Sequence, residues 1–402
     1  MQSFQSLVEA EFIALDQLIL DEMSSEVGLI EEVAKYLINS GGKRLRPLCL
    51  FLMSTLLSSN EASGKASDHS GHANTEREHA ESGDKTLGGE NVSDQAQAQE
   101  ATNSLKAIGS SNSGSMHQPL VVWYGAVIEF IHTATLLHDD VVDRSDLRRG
   151  RPTANANWGN SASVLVGDFL YSRAFQMMVK AAGKANSLAI IQLMSNATNI
   201  ISEGEVLQLV NANTLSLSED DYYQVAYKKT AVLFEAACQT ACLLHGYKED
   251  DEAFAQAGTF GRELGVAFQI MDDVLDYSGE SAKLGKNTGD DIAEGKVTLP
   301  LIYALKQLEN GGDQDKILSK KIVTTLKAFR NPAENAHKHA HREDLLSVDE
   351  IITIVDEQGG LRYSKEQAGK AIDFAKTTLA KLPGTEKDAL HALAEFAIAR
   401  QS

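Results

Sequence analysis

Two stretches of this sequence share one design: a long apolar run of helical character that ends in carboxylates spaced four residues apart. The first run, residues 121–137, leads into Asp139, Asp140 and Asp143; the second, residues 253–268, leads into Asp272, Asp273 and Asp276. On an α-helix residues four apart share a face, so Asp139 stands by Asp143 and Asp272 by Asp276, with Asp140 and Asp273 turned about 100° away. Carboxylates held side by side at the rim of an apolar surface repel each other, and burial raises the cost of keeping them charged. Something cationic has to sit between them. One such cluster is compatible with a solvated helix face, but two predict a pair of helices whose acidic ends meet across one cavity.

The clusters offer oxygen alone, with no His or Cys at ligand spacing, which suits a hard ion. Mg²⁺ takes one or two carboxylates and completes its shell with water and phosphate oxygens, so the expected substrate is a phosphate or diphosphate ester. Basic residues should converge on the same place. Gly41, Gly42, Lys43, Arg44, Leu45, Arg46 and Pro47 form a basic turn, with Pro47 suited to the first position of a helix. Arg148, Arg149 and Arg151 follow the first cluster, Lys228, Lys229 and Thr230 interrupt an apolar helix, and Lys286 and Lys296 follow the second cluster. In a chain of formal net charge −19, bases placed beside each acidic cluster read as a diphosphate site. The same balance argues against a nucleic-acid partner and against docking to anionic membranes.

Six prolines, few aromatics and no alternation at strand spacing predict an all-α chain. Helices are expected over 5–38, 47–58, 119–143, 162–182, 188–210, 219–245, 251–277 and 298–308, with local kinks at Gly204 and at 228–230. Residues 58–118 change character, being polar, poor in large apolar side chains and carrying nine acidic against four basic residues. We read them as a disordered insertion in a single all-α domain spanning 1–402. His69, His72 and His79 there, and His337, His339 and His341 in the polar stretch 331–343, are expected in solvated loops. No run looks long enough to span a bilayer, and no signal core follows the N-terminus. Cys49, Cys238 and Cys242, odd in number and in apolar context, read as buried free thiols in a reducing, cytoplasmic setting.

In order, GGKRLRP at 41–47, HTATLLHDDVVDRSDLRRG at 132–150, the Lys229 and Thr230 pair, FQIMDDVLD at 268–276 and LGKNTGDDIAEGKVTLP at 284–300 closely resemble the trans-polyprenyl diphosphate synthases. The likeness is to the bacterial branch that makes octaprenyl diphosphate, and it covers most of the chain outside 58–118 and part of the region after Asn310. It implies an isoprenoid-synthase-type helical bundle around a central cavity, working as a homodimer. It also implies Mg²⁺-dependent condensation of isopentenyl diphosphate with an allylic diphosphate such as farnesyl diphosphate, giving a long all-trans product for quinone side chains. Carried over residue by residue, Asp139, Asp143, Asp272 and Asp276 are the metal ligands, with Asp140 and Asp273 as close partners. Lys43, Arg46, His132 and Arg149 belong to the isopentenyl diphosphate site, and Arg148, Lys229, Thr230, Gln269 and Lys286 to the allylic site. No side-chain base is evident, and the resemblance implies that the departing diphosphate takes the proton. The long 58–118 segment departs from the family pattern.

Ala134 and Thr135, five and four residues before Asp139, lie where the tail of a growing product would point. In the resembled family a large aromatic here stops elongation early, so small residues imply a deep tunnel and a long product. From Asp139 down to Ile128 the helix spans about 16 Å, an apolar wall for several isoprene units. Ala134 would equally let two helices pack closely. Two other functions share parts of the pattern. A class I terpene cyclase has the first acidic motif but a second one of Asn, Ser and Glu type, and a non-catalytic subunit of a heteromeric synthase usually lacks intact motifs. Calcium-binding loops need alternating ligands, a central Gly and a terminal Glu, which 139–151 lacks.

Overall fold

Helices form where apolar periodicity runs, and local hydrogen bonds decide where they stop. The computed structural model describes residues 4–39, 42–64, 118–148, 150–183, 186–212, 218–278, 288–330, 345–384 and 387–399. After a 3₁₀ turn at Ser6–Val8, α1 (Glu9–Glu22) and α2 (Gly28–Asn39) replace the single helix expected over 5–38. The break falls at Ser25. The backbone N–H of Ser25 donates to Glu31 Oε1 at 3.1 Å, and Val27 N–H donates to Ser25 Oγ at 3.2 Å, alternatives to helical bonding that serine readily offers. α3 (Leu45–Gly64) begins two residues before Pro47, which leaves the proline in the first turn, where a missing N–H costs nothing.

α4 (Gln118–Val142) carries the first acidic cluster on its last turn, and Asp143 N–H still donates to Asp139 O at 2.8 Å. A tight antiparallel ribbon follows, Leu147–Arg148 (β1) against Arg151–Pro152 (β2), closed by Gly150 at φ 72°. These two short strands leave the fold all-α. The chain continues through α5 (Ala154–Trp158), α6 (Asn160–Lys180), α7 (Ser187–Ala212) and α8 (Glu219–Ala226) into a π-helical turn at Tyr227–Ala231. Then come α9 (Val232–Leu244), α10 (Glu252–Tyr277), α11 (Asp290–Ala293), α12 (Leu299–Asn310) and α13 (Asp313–Arg330). α14 (Val348–Glu357), α15 (Gly360–Lys381) and α16 (Asp388–Ile398) complete it.

The core is built around α9, in which eleven of thirteen residues are buried. It packs against α3, α4, α7 and α10, and α10 in turn lies along α15. Small residues bring the site-bearing elements close. A Cβ on Gly265 of α10 would lie 2.5 Å from Ala231 Cα, and one on Gly204 of α7 would lie 2.9 Å from Lys229 N, so only glycine lets both helices press on the π-turn. The kink expected at 228–230 is this π-turn; at Gly204 α7 runs through unbroken, and the glycine serves close approach instead.

One expectation about membranes is corrected. The segment Leu120–Val142 is long and apolar enough to cross a bilayer, but 61% of its apolar 18-residue stretch is buried inside the protein, where it packs on α3 and α6. The three cysteines are free and buried. Ser40 and Gly41, the 65–117 part of the insertion with His69, His72 and His79, Arg149, Lys286, and residues 331–344 with His337, His339 and His341 lie outside the described residues.

Candidate active site

A cavity of about 1130 Å³ opens at the acidic ends of α4 and α10. Asp139, Asp140 and Asp143 line one side and Asp272, Asp273 and Asp276 another, together with Lys43, Arg46, His132, Arg148, Lys229, Thr230 and Gln269. Of the two positions read as setting product length, Thr135 lines the cavity and Ala134 is not among its lining residues, being fully buried. Helix phase explains the difference in placement: four residues before Asp139 is about 40° round the helix, whereas five is about 140°. Ala134 therefore belongs to the packed side of α4, as the close-packing alternative has it.

On the first cluster each outer carboxylate meets a lysine. Lys229 Nζ, projected by the π-turn, lies 3.3 Å from Asp139 Oδ2 and 2.7 Å from Glu205 Oε2. Lys296 Nζ lies 2.8 Å from Asp143 Oδ2 and 2.6 Å from Glu294 Oε2. Burial weakens both ammonium groups, but the surrounding carboxylates outweigh it and hold both pKa values above the ordinary lysine value. Asp140 points inward and is buried. Arg148 Nε and Nη2 both donate to Asp140 Oδ1, at 3.0 and 2.7 Å, because the turn at Arg144 (φ 55°), where Ser145 N–H donates to Asp140 O, folds β1 back beside α4. Burial pushes the Asp140 pKa up, and Arg148 pulls it back.

In the second cluster Asp273 is held by neutral groups. Tyr222 O–H donates to Asp273 Oδ2 at 2.5 Å and Gln269 Nε2 to Asp273 Oδ1 at 2.8 Å, while Thr230 O–H donates to Gln269 Oε1 at 2.7 Å. Thr230 and Gln269 thus brace Asp273. Burial, with Asp291 nearby, pushes the Asp273 pKa well up, against the pull of the Tyr222 and Gln269 hydrogen bonds. Asp276 Oδ2 accepts from the Asp291 N–H of α11 at 3.1 Å. That is a carboxylate at a helix N-terminus, which the free N–H groups and the dipole favour.

The basic turn reaches the cavity from α3. Arg46 Nη1 lies 3.1 Å from His132 Nε2. Since arginine can only donate, His132 accepts at Nε2, which assigns a neutral ring protonated at Nδ1. Arg46 also sits over the Phe234 ring at 4.7 Å, and Lys43 Nζ over Phe396 of α16 at 5.3 Å. Arg44 lines the cavity too, at φ 44°, and pairs with Asp16 and Glu129.

Several lining residues escaped the sequence reading: Glu205, Tyr222, Asp291, Glu294 and Arg330, with Lys296 recognised there only as a nearby base. Glu205 is the most telling. One carboxyl oxygen accepts from Lys229, and the other is buried without a partner. Burial pushes its pKa up to about 7, with Lys229 pulling it back and Asp139 adding to the rise. A proton on that oxygen makes it a donor, and Asp139 is the neighbouring carboxylate that would accept. The legible signal was a glutamate directly after Gly204, in a helix whose one other acid is Glu203.

Among the described residues no three His, Cys, Asp or Glu side chains converge as a protein-only metal cage. A hard ion that takes one or two carboxylates and fills its shell from water and phosphate needs no such cage. The oxygen-only donor set on both sides of the cavity fits Mg²⁺.

Comparison with known proteins agrees with this geometry. The Polyprenyl synthetase family model matches residues 101–334. The chain is 38% identical over 405 residues to octaprenyl diphosphate synthase of Haemophilus influenzae, covering 100% of this chain and 97% of that one. It is 35% identical over 401 residues to octaprenyl diphosphate synthase of Escherichia coli, covering 100% and 99%. In structure it is similar to polyprenyl synthase from Caulobacter crescentus complexed with calcium and isoprenyl diphosphate, with a TM-score of 0.73, 32% identity and coverage of 99% and 97%. With its all-α bundle and its acid-lined cavity, the chain belongs to the polyprenyl synthetase family and is a trans-prenyltransferase of long-chain elongation.

Proposed function

We propose that this protein condenses isopentenyl diphosphate with an allylic diphosphate of farnesyl type and repeats the step to an all-trans product of octaprenyl class, a precursor of quinone side chains. The observation that carries the reading is the meeting of two carboxylate pairs and two sets of cations around one cavity. Lys43, Arg46, neutral His132 and Arg149 hold the isopentenyl diphosphate, and Arg148, Lys229, Thr230, Gln269 and Lys286 the allylic one. Asp139, Asp143, Asp272 and Asp276 would hold Mg²⁺, which when bound supplies neutralisation of the charge on the leaving diphosphate. The presence of calcium and isoprenyl diphosphate in the Caulobacter crescentus relative supports that assignment.

In the condensation the C1–O bond of the allylic substrate breaks, the isopentenyl double bond attacks C1, and the proton lost from the new unit passes to the departing diphosphate. Lys229 and Lys296, paired with Asp139 and Asp143 in the free protein, stand where that negative charge develops. The product tail runs down α4 past Thr135.

The working form is a homodimer in the cytoplasm, with no nucleic-acid partner and no stable membrane insertion. Val164, Phe175 and Val179 of α6 and Leu188, Val206 and Val210 of α7 are exposed, Leu188 at 77%, and this apolar face suits a second copy of the chain. Three free thiols suit a reducing compartment. The test is incubation of purified protein with labelled isopentenyl diphosphate and farnesyl diphosphate, with Mg²⁺ or with chelator. A long product is expected only when both substrates and the metal are present. Product from farnesyl diphosphate alone would favour a cyclase, and incorporation only after a second protein is added would favour a non-catalytic subunit.

A further inference from the structure

We propose that Arg330 is a further anchor for the allylic diphosphate. It is the last residue of α13, it lines the cavity, and no sequence motif pointed to it. Its Nε is buried without a hydrogen-bond partner, and no carboxylate among the described residues pairs with it. The other cations of that end are matched: Lys229 to Asp139 and Glu205, Lys296 to Asp143 and Glu294, Arg148 to Asp140. In a chain with 56 acidic against 37 basic residues, a half-buried guanidinium left unmatched is out of keeping with its surroundings. Arginine keeps its charge under burial, and a buried charge without a partner is costly.

The local backbone is shaped to hold it there. Gly295 has φ +73°, and a Cβ on it would lie 2.4 Å from Arg330 Cγ and 2.8 Å from Arg330 Nε. Any other residue would push the side chain out of its channel. The next residue, Lys296, is the one that reaches Asp143, so Arg330 stands on the same wall as the first acidic cluster. A helix C-terminus favours a cation, but that accounts for a solvated arginine and not for one that lines a cavity with its Nε packed against Gly295. The planar fork of N–H donors fits two oxygens of a phosphate group, and a diphosphate is the anion this wall would receive. The choice of the allylic over the isopentenyl diphosphate rests on the function proposed above, which gives the latter to Lys43, Arg46 and His132.

The test compares the full-length wild type with Arg330→Gln and Arg330→Lys. For Arg330→Gln the KM for farnesyl diphosphate is expected to rise about 10- to 100-fold, the worth of a charged hydrogen bond, with the KM for isopentenyl diphosphate within about twofold. Arg330→Lys should recover part of the loss, and the melting temperature should stay unchanged. Calorimetric binding of inorganic pyrophosphate with Mg²⁺ should weaken in parallel. An unchanged farnesyl diphosphate KM and unchanged pyrophosphate affinity would overturn the proposal, as would both KM values rising together with a lowered melting temperature. If the wild type makes no product, the proposed function falls, and the pyrophosphate binding still decides whether Arg330 is a diphosphate ligand.

Discussion

Asp140 and Asp273 occupy the same place in their motifs, one residue past the first cavity-facing carboxylate, and both are buried, at 2% and 4% exposure. Helix phase turns each of them away from its outer neighbours and into the protein, so the interior has to supply a partner. The two clusters meet that demand differently. Asp140 receives a cation, Arg148, delivered by the β1–β2 ribbon. Asp273 receives neutral donors, Tyr222 from α8 and Gln269 from its own helix. Burial pushes both acids up; at Asp140 the charge and hydrogen bonds of a guanidinium oppose the rise, whereas at Asp273 only O–H and N–H donors do. The motifs are copies in sequence, but the first is an ionic joint and the second a hydrogen-bonded one.

The largest effect should ignore this difference. Asp139→Ala and Asp272→Ala each remove a cavity-facing carboxylate, and each is expected to lower kcat about 10²- to 10³-fold in steady-state assays at saturating Mg²⁺. Loss from one cluster alone would break the comparison at its root.

The next effect should reveal the difference. Arg148→Ala strands Asp140 as a buried charge, for which a cost of about 3–5 kcal/mol is usual; with the Arg148 side chain 29% exposed to water we expect about 2 kcal/mol. Tyr222→Phe removes one neutral donor from an acid already inclined to take a proton, and about 1 kcal/mol is expected. Urea midpoints of the two variants measure both costs. Equal costs would mean that the two joints are alike after all. On product length, Thr135→Phe should shorten the prenyl chain, while Ala134→Phe should chiefly destabilise the fold through overpacking. Chain-length analysis beside a melting curve separates them.

How much of this was legible follows from which interactions are local. Four-residue spacing placed Asp139 by Asp143 and Asp272 by Asp276, because that relation is set within one helix. The break at Lys228 to Thr230 was visible as a change in polarity, though its π-helical form was not. The serine break inside 5–38 depends on side chains reaching Glu31, which no periodicity reports. Glu205 and Arg330 stayed hidden because their meaning comes from partners distant in the chain: Gly204 presses α7 onto the π-turn, and Gly295 makes room for an arginine from α13. Arg148 was read as a substrate ligand from its place after the acids, and its bond to Asp140 appears only once the ribbon turns back.

The smallest effect concerns the acid that makes the first cluster lopsided. Lys229 is divided between Asp139 and Glu205, two carboxylates on one ammonium. Burial raises the Glu205 pKa from its ordinary 4.5 to about 7. Between those values the native protein binds more protons at this site than the unfolded chain, so the stability due to Glu205 is fullest below about pH 4.5 and is lost as pH rises toward 7. Glu205→Gln has a neutral amide at every pH and lacks this slope. In metal-free buffer, the stability of wild type relative to Glu205→Gln should therefore fall between pH 5 and 7, on the order of 2 kcal/mol in all, and level off above that. A difference independent of pH would show that Glu205 is ionised throughout and that Lys229 alone offsets its burial. A slope of the expected sign would show that the ionic cluster carries a neutral member of its own, which narrows the contrast with Asp273 to the identity of the donor.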